Sequence, residues 1–297
     1  MEWENCDVVT GRTDRHLPIT SPQDGSNSIF TNTRTCFGAA QDLLAKMKEI
    51  AAMDLGGDVA DYDVDGVRVH QIADNTVGMT YAEVAQRGME LGGKFSGESD
   101  LPEELNTLTA LSVSRLAGSA LMGIYHDPRH SNNPPGFTVT FMEIELDKET
   151  GKFDILDLVT IAECGTVVHP QGLANQLRGG AVWGIGLSAL ERHLYDPQNG
   201  LPASSGFWQS KIPTYLDTPA EIGTGWVDLP DPENPVGARG IGEPSMGAVS
   251  AALNAAISDA LGGHMFDAAP VTTDMIVNHI AGISEDATPL AQNNFRG

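Results

Sequence analysis

FTVTFMEIELDKETGKFDILDLVTI, residues 137–161, is the stretch that decides the fold class. Phe137, Val139 and Phe141 alternate with polar residues, and a period of two places them together on one face of a half-buried strand. Asp147 to Gly151 turns the chain, and Phe153, Ile155, Val159 and Ile161 continue on a second strand, so the segment reads as a long antiparallel hairpin. Outward from it the apolar spacing becomes helical. Phe37, Ala40, Leu44, Met47 and Ala51 predict a helix that stops at Gly56-Gly57, and Met246, Val249, Leu253, Ile257 and Leu261 predict another that stops at Gly262-Gly263. Val64-Asp65-Gly66-Val67 is a hairpin signal, and Thr80-x-x-Glu83 is a capping box opening a short helix that ends at Gly92-Gly93. Asp14 to Gly25 reads as a loop, and Leu101 to Pro135 follows no regular pattern. Strands and helices alternate irregularly, which makes the class α+β, with mixed sheets and packed helices. The Pro-rich loop from Asp127 to Pro135 divides the expected domain, 1–297, into two closely packed subdomains, 1–125 and 136–297.

The chain has 297 residues, 41% hydrophobic and 19% charged, which is a globular composition long enough for a substantial core. Forty acidic against 17 basic residues give a net charge of -23, so the surface repels a phosphate backbone and nucleic acid is not an expected partner. No apolar run approaches the roughly 20 residues that span a bilayer, and Met1-Glu2-Trp3-Glu4 does not open a signal sequence. A cytoplasmic protein with no membrane association is expected. Cys6, Cys36 and Cys164 are far apart and odd in number, which argues against a disulfide framework, a Cys-x-x-Cys metal site or an iron-sulfur cluster on this chain.

Gly237-Ala238-Arg239-Gly240-Ile241-Gly242-Glu243-Pro244 delivers one carboxylate from a glycine-rich loop to the start of the Met246 helix. Glycines let backbone approach a ligand, and a confined carboxylate suits general-base work; a favourable place at the positive end of a helix dipole explains Glu243 equally well. The third glycine of a dinucleotide fingerprint is missing after Gly240-Ile241-Gly242. Gly25-Ser26-Asn27-Ser28, followed by Thr31 and Thr33, offers hydroxyls, an amide and N–H groups to an anion, or only an N-terminal cap. Gln176 can present its amide to a heterocycle or satisfy a neighbouring carbonyl. It lies in a helical stretch, Gln171 to Arg192, that carries Gly179, Gly180, Gly184 and Gly186, each unfavourable by about 0.5–1 kcal/mol relative to Ala. Close approach of a backbone or flat ligand, or tight helix packing, would compensate. His126-x-x-x-His130 has metal-ligand spacing, but Pro128 stands between the two and the surroundings read as loop.

Taken in order, these pieces resemble the C-terminal half of the molybdenum-binding subunit of the xanthine dehydrogenase and aldehyde oxidase family. The resemblance runs from Gly11-Arg12-Thr13-Asp14-Arg15 through Gly25-Ser26-Asn27-Ser28, Thr33-Arg34, Glu163-Cys164-Gly165-Thr166-Val167-Val168-His169-Pro170 and Asn175-Gln176-Leu177-Arg178-Gly179-Gly180 to Gly240-Ile241-Gly242-Glu243. It implies a C-terminal molybdenum cofactor-binding domain with Glu243 as catalytic base and Gln176 as a pterin contact. Gly25, Ser26, Asn27 and Ser28 would lie near the pterin or its nucleotide tail, with Gly240 and Gly242 in the cofactor-binding loop. The cofactor would be molybdopterin, in its cytosine dinucleotide form, with the metal held by the pterin dithiolene and no protein ligand to it.

The implied reaction is hydroxylation of an electron-poor carbon, in an N-heterocycle or an aldehyde, with oxygen from water and two electrons leaving through the metal. The sequence departs from the family with Glu163 in place of Asp, His169 in place of Asn, and Asn27 where Gln is frequent. Glu163 and His169 are expected to act on local folding rather than chemistry. Nothing before Glu2 corresponds to the family's first molybdenum domain, so a separate chain is expected to supply it, an arrangement resembling the divided molybdenum subunits of nicotinate dehydrogenase. [2Fe-2S] clusters and FAD are expected on partner subunits, an iron-sulfur subunit and an FAD subunit. The alternative is a non-enzymatic carrier of the molybdenum cofactor, or a scaffold module.

Overall fold

The computed structural model describes residues 3–19, 24–126 and 136–283. The chain divides into two compact units, Met1–Gln23 with Ser28–Asn133, and Asp24–Asn27 with Pro134–Gly297. The four residues Asp24–Asn27 thus group with the second unit, although the chain on both sides of them belongs to the first. The Asp127 to Pro135 loop, and with it His130 of the His126-x-x-x-His130 spacing, lies outside the described residues.

In the first unit, helix α1 (Ser28–Leu55) begins earlier than its apolar spacing suggested and takes in Thr31 and Thr33. Thr33 Oγ1 donates to the Ile29 carbonyl at 2.6 Å and Thr31 Oγ1 to that of Ser28 at 3.3 Å, the back-bonding that β-hydroxyl residues make inside helices. A three-stranded antiparallel sheet follows, β1 (Tyr62–Val64), β2 (Arg68–Gln71) and β3 (Gly78–Thr80). Asp65 Oδ1 closes the β1–β2 turn by accepting from the N–H groups of Val67 and Arg68, both at 2.9 Å. Thr80 and Glu83 form the capping box that opens α2 (Tyr81–Leu91). Met47, Ile50 and Ala51 of α1 pack with Tyr62, Val69, Val84 and Phe95 as the core of this unit. A helix missed in the sequence, α3 (Thr107–Leu116), starts at Asn106, whose side chain accepts from Leu108 N–H at 2.9 Å. No Gly or strong apolar period marks that segment, but Asn is among the best N-caps.

The second unit holds the hairpin of β4 (Phe137–Leu146) and β5 (Phe153–Glu163), with β6 (Gly223–Val227) added parallel to β5. On β4 the assignment of faces is the reverse of the expectation: Phe137, Val139 and Phe141 are exposed, and Thr138, Thr140, Met142 and Ile144 face inward. The reason is visible in the pairing. Thr140 Oγ1 bonds Thr160 Oγ1 at 3.1 Å and Thr138 Oγ1 donates to the Pro244 carbonyl at 2.9 Å, so inward threonines are satisfied while Met142 and Ile144 supply apolar contact. On β5 the buried parity changes within the strand, because Asp157 pairs with Glu143 and Ile155 with Ile144, leaving Leu156 as an extra bulged residue. Phe153 and Ile155 on one side of the bulge, and Leu158, Thr160 and Ala162 on the other, therefore all turn to the core.

Helix α4 (Pro170–Ile185) is capped by His169, whose Nδ1 accepts from Gly172 N–H at 2.7 Å, and runs on into one π-helical turn, Gly186–Leu190. The short helix α5 (Phe207–Ser210), helix α6 (Pro244–Ala260) and helix α7 (Thr273–Ile280) complete the unit. Helices α4 and α6 cross in contact. A Cβ at Gly184 would lie 2.7 Å from the Met246 carbonyl and 2.8 Å from Val249 Cβ, and one at Gly180 would overlap Ser245 Oγ. Helix packing accounts for these two glycines; Gly179 faces open space and Gly186 abuts Glu191 and Pro213. Val249, Leu253 and Ile257 of α6 are fully buried against β4, β5, Ala181, Ile185, Val271 and Ile276.

Arg239 fastens the segment before α6 to the end of β5. Its Nη1 donates to Glu163 Oε2 and its Nε to Asp231 Oδ2, while Arg239 N–H donates to the Cys164 carbonyl and Thr166 N–H to that of Gly237, both at 2.7 Å. The guanidinium pKa is raised, chiefly by the Asp231 hydrogen bond. Glu163 Oε1 also accepts from Gly165 N–H at 2.9 Å, so Glu163 and His169 both organise local backbone.

Two stability predictions follow from these contacts. Leu253→Ala, which empties a fully buried position, is expected to cost about 2–5 kcal/mol in urea unfolding, and a loss below about 1 kcal/mol would contradict its place in the core. Arg239→Ala removes the Arg239 counter-charge from Asp231, only 4% exposed, and is expected to cost about 3 kcal/mol by the same measurement. An unchanged urea midpoint would show that the ion pairs do not fasten the loop.

Candidate cofactor site

The site is assembled in the second unit from three separate pieces of sequence: the Asp24–Asn27 turn, the first turns of α4, and the loop that enters α6. In the first piece Asn27 N–H donates to the Asp24 carbonyl at 3.2 Å across Gly25 at φ 57° and Ser26 at φ 55°. Two successive positive φ values are those of a type I′ turn, natural for Gly25 and strained for Ser26. The turn presents the Ser26 side chain to the third piece, whose hydrogen bonds hold it there. Glu243 N–H donates to Ser26 Oγ at 2.8 Å, and Ser26 Oγ donates in turn to Glu243 Oε2 at 3.4 Å.

Close approach explains the glycines of the loop. A Cβ at Gly240 would overlap the Ser26 carbonyl, and one at Gly242 would stand 2.6 Å from Gln176 Oε1. Between them Ile241 is buried with Ala162, Cys164, Leu173 and Leu177, which pins the loop to β5 and α4. The Asn234 amide continues the support: its Oδ1 accepts from Val236 N–H at 2.9 Å and Ala238 N–H at 3.3 Å. Glu243 occupies the N-cap position of α6 but makes no side-chain cap bond, and Pro244 follows at N1. The helix-dipole reading therefore accounts for its position, while the Oε2 contact with Ser26 shows that the carboxylate is not spent on capping.

Of the residues singled out in the sequence, Ser26, Gln176, Gly240, Gly242 and Glu243 come together here. Gly25 and Asn27 belong to the turn that presents Ser26, whereas Ser28 opens α1 in the other unit. Sequence reasoning missed Arg239, Asp231, Asn234 and Ser245 as builders of the site, whereas Gly180 answers to the tight helix packing weighed for it. Asp231 and Asn234 carried a usable signal, the Asx turns in which their side chains accept from Glu233 N–H and Val236 N–H. Ser245 carried none; it is fully buried beneath the loop against Gly180, and its Oγ finds no hydrogen-bond partner. Burial pushes the Cys164 thiol pKa up, so it sits beside the loop as a neutral core side chain, and none of the three cysteines is in a disulfide.

Among the described residues no three His, Cys, Asp or Glu side chains converge on a metal position. What converges is a primary amide, a hydroxyl and a carboxylate, a donor and acceptor set that fits the edge of a polar heterocycle such as a pterin. Among the described residues, too, no helix is long and apolar enough to cross a membrane.

A family model described as a molybdopterin cofactor-binding domain matches residues 1–219. The gamma subunit of the 6-hydroxypseudooxynicotine dehydrogenase complex of Paenarthrobacter nicotinovorans is 34% identical over 166 residues, 55% of this chain and 21% of that protein. A putative xanthine dehydrogenase molybdenum-binding subunit of Escherichia coli K12 is 27% identical over 155 residues, 52% and 20% of the two chains. These matches span about a fifth of the length of the curated relatives. Among solved structures, quinoline 2-oxidoreductase from Pseudomonas putida 86 gives a TM-score of 0.56 at 26% identity, covering 83% of this chain and 28% of the other. A Cu,Mo-CO dehydrogenase gives 0.60 at 22% identity, over 90% and 31%, a likeness in fold alone. With three quarters of its length matched by the model and an α+β fold shared with these structures, the chain belongs to the molybdopterin cofactor-binding domain family.

Proposed function

We propose that this chain is the second molybdenum cofactor-binding domain of a cytoplasmic hydroxylase of the xanthine dehydrogenase type, with Glu243 as its catalytic base. The observation that carries the reading is the meeting of Ser26, Gln176 and Glu243, 217 positions apart at the extremes, around two glycines whose missing Cβ atoms permit it. The dehydrogenase and molybdenum-binding names of the relatives support the reaction class.

When bound, the molybdopterin cofactor supplies a two-electron redox centre. The chain's own residues hold it and manage a proton. Gln176 offers both a donor and an acceptor to the pterin edge, and Gly25, Ser26 and Asn27 line the approach of its nucleotide tail, taken as the cytosine dinucleotide. The Glu243 N–H bond to Ser26 Oγ directs the hydroxyl proton toward Oε2. Oε1 is then the atom that takes up a proton from the water supplying the oxygen. The substrate is an electron-poor carbon of an N-heterocycle or aldehyde. A separate chain carrying the first molybdenum-binding domain, an iron-sulfur subunit with [2Fe-2S] clusters and an FAD subunit complete the enzyme.

Glu243→Gln in the assembled complex is expected to lower turnover by at least about 10²-fold with molybdenum per chain unchanged by elemental analysis. Wild-type turnover would remove Glu243 from the mechanism; a complex that is inactive as wild type yet hands its cofactor to another apoenzyme would instead establish a carrier. Gln176→Leu is expected to lower the pterin content of the purified complex, measured by fluorescence after oxidative release. Full pterin occupancy would refute the contact.

A further inference from the structure

Ser, Thr, Asp and Asn are the usual side-chain caps of a helix N-terminus, yet α4 is capped by a histidine. His169 Nδ1 accepts the Gly172 N–H at 2.7 Å, and the His169 carbonyl accepts the Leu173 N–H at 2.9 Å. The local sequence makes room for the ring: a Cβ at Gly172 would stand 2.7 Å from Nδ1 and 3.4 Å from Cγ of the imidazole. Pro170 at the first helical position has no N–H, so the ring serves one of the few donors that the first turn presents.

A nitrogen that accepts a hydrogen bond carries no proton, so the neutral ring holds its one proton on Nε2. A second proton removes the acceptor and sets a positive charge at the positive end of the α4 dipole. Both effects have the same sign: the cap is complete while the imidazole is neutral and is lost as the pH falls through the imidazole range. The charged groups on the elements packed against the 164–169 segment are Glu163, Asp228, Asp231, Glu233 and Arg239, of which Glu163 and Asp231 pair with Arg239. On α4 itself the first charged residue is Arg178, which donates to the Ile222 carbonyl. Among the described residues none of these forms an ion pair with the exposed ring, so no carboxylate offsets the loss of the cap.

The capped turn leads directly to the site. In the α-helical ladder the Gln176 N–H is paired with the Gly172 carbonyl, so the residue that the proton releases is the one that anchors the backbone of Gln176. Leu173 and Leu177, buried with Ile241, hold the helix beyond it, which confines the release to the first turn. We propose that His169 is a proton-operated latch on the turn that seats Gln176, closed when the imidazole is neutral and open when it is protonated. Its bearing on the cofactor rests on the functional reading above, in which Gln176 touches the pterin.

The test is hydrogen exchange at the Gly172 amide, resolved by mass spectrometry with electron-transfer fragmentation, in the purified wild-type protein and in His169→Asn, whose cap does not titrate. The two are compared at about pH 8 and about pH 5.5, on either side of the ordinary imidazole pKa of about 6.5, and comparison at equal pH removes the chemical pH dependence of exchange. At the higher pH the amides are expected to exchange within about twofold of one another, and at the lower pH the wild type is expected to exchange at least about fivefold faster. Equal exchange at both pH values overturns the latch, and so does a difference that is the same at both. Should the Asn variant fail to fold, His169→Ser gives the same comparison with another cap that does not titrate. Pterin content after incubation at the lower pH is expected to fall in the wild type ahead of the variant. An amide that opens on acidification with no loss of pterin supports the latch and counts instead against Gln176 as a pterin contact.

Discussion

Everything in the candidate site hangs on the guanidinium of Arg239, held between Glu163 at the end of β5 and Asp231 in the preceding loop. Gly237, Gly240 and Gly242 make the segment before α6 costly to order, since glycine loses more backbone freedom than any other residue. A pair of carboxylates around one planar donor fixes both the position and the orientation of the loop at its middle. Removing these charges from water is expensive, and the pair is favourable only because its hydrogen bonds are complete. The Gly165 and Glu233 amides, which donate to Glu163 Oε1 at 2.9 Å and Asp231 Oδ1 at 2.7 Å, supply much of that completion. The departure from the family at Glu163 is therefore absorbed by geometry: the side chain both caps its own backbone and reaches Arg239.

A second constraint sets the distance from α4 to α6. Gly180 and Gly184 let the helices approach until Ser245 Oγ and the Met246 carbonyl lie against bare Cα atoms. Gln176 is one turn before Gly180 on α4, and Glu243 is two residues before Ser245, so the crossing that the glycines permit also sets the spacing between amide and carboxylate. The close packing leaves the Ser245 hydroxyl buried and unpartnered, a cost of about 1–3 kcal/mol. Val249, Leu253 and Ile257, buried below the crossing, offset it by removing a continuous apolar stripe from water.

The sequence made the framework legible where one physical rule acted alone. The capping box at Thr80, the turn at Asp65 and the apolar stripe of α6 are local signals, and each element stands where they put it. Where two rules competed, reading failed. The alternation of Phe137, Val139 and Phe141 is a correct strand signal, but nothing local says that threonine-to-threonine and threonine-to-carbonyl bonds turn the opposite face inward. The Leu156 bulge and the parallel addition of β6 depend on pairing with distant residues. At the site, glycines and Glu243 stood out by composition, and Asn234 left a local Asx-turn signal, whereas Arg239 and Ser245 act through partners far along the chain and have no local pattern.

The separation of 217 residues between Ser26 and Glu243 has a consequence for how the carboxylate acquires its orientation. Closing so long a loop is unfavourable until other contacts have brought its ends together, so this hydrogen bond cannot guide folding and can only register its completion. Asp24–Asn27 must be captured by the second unit while the chain on either side is committed to the first. The positive φ of Ser26 adds local strain to that capture, which persists only because the surrounding structure enforces it. The Glu243 side chain is thus oriented by an interaction that exists only when the loop clamp, the helix crossing and the distant turn are all in place. A chain with any of the three loosened would keep its glutamate at the head of α6 but lose the direction of its Oε2, so the position of the carboxylate and its orientation are set by different parts of the structure.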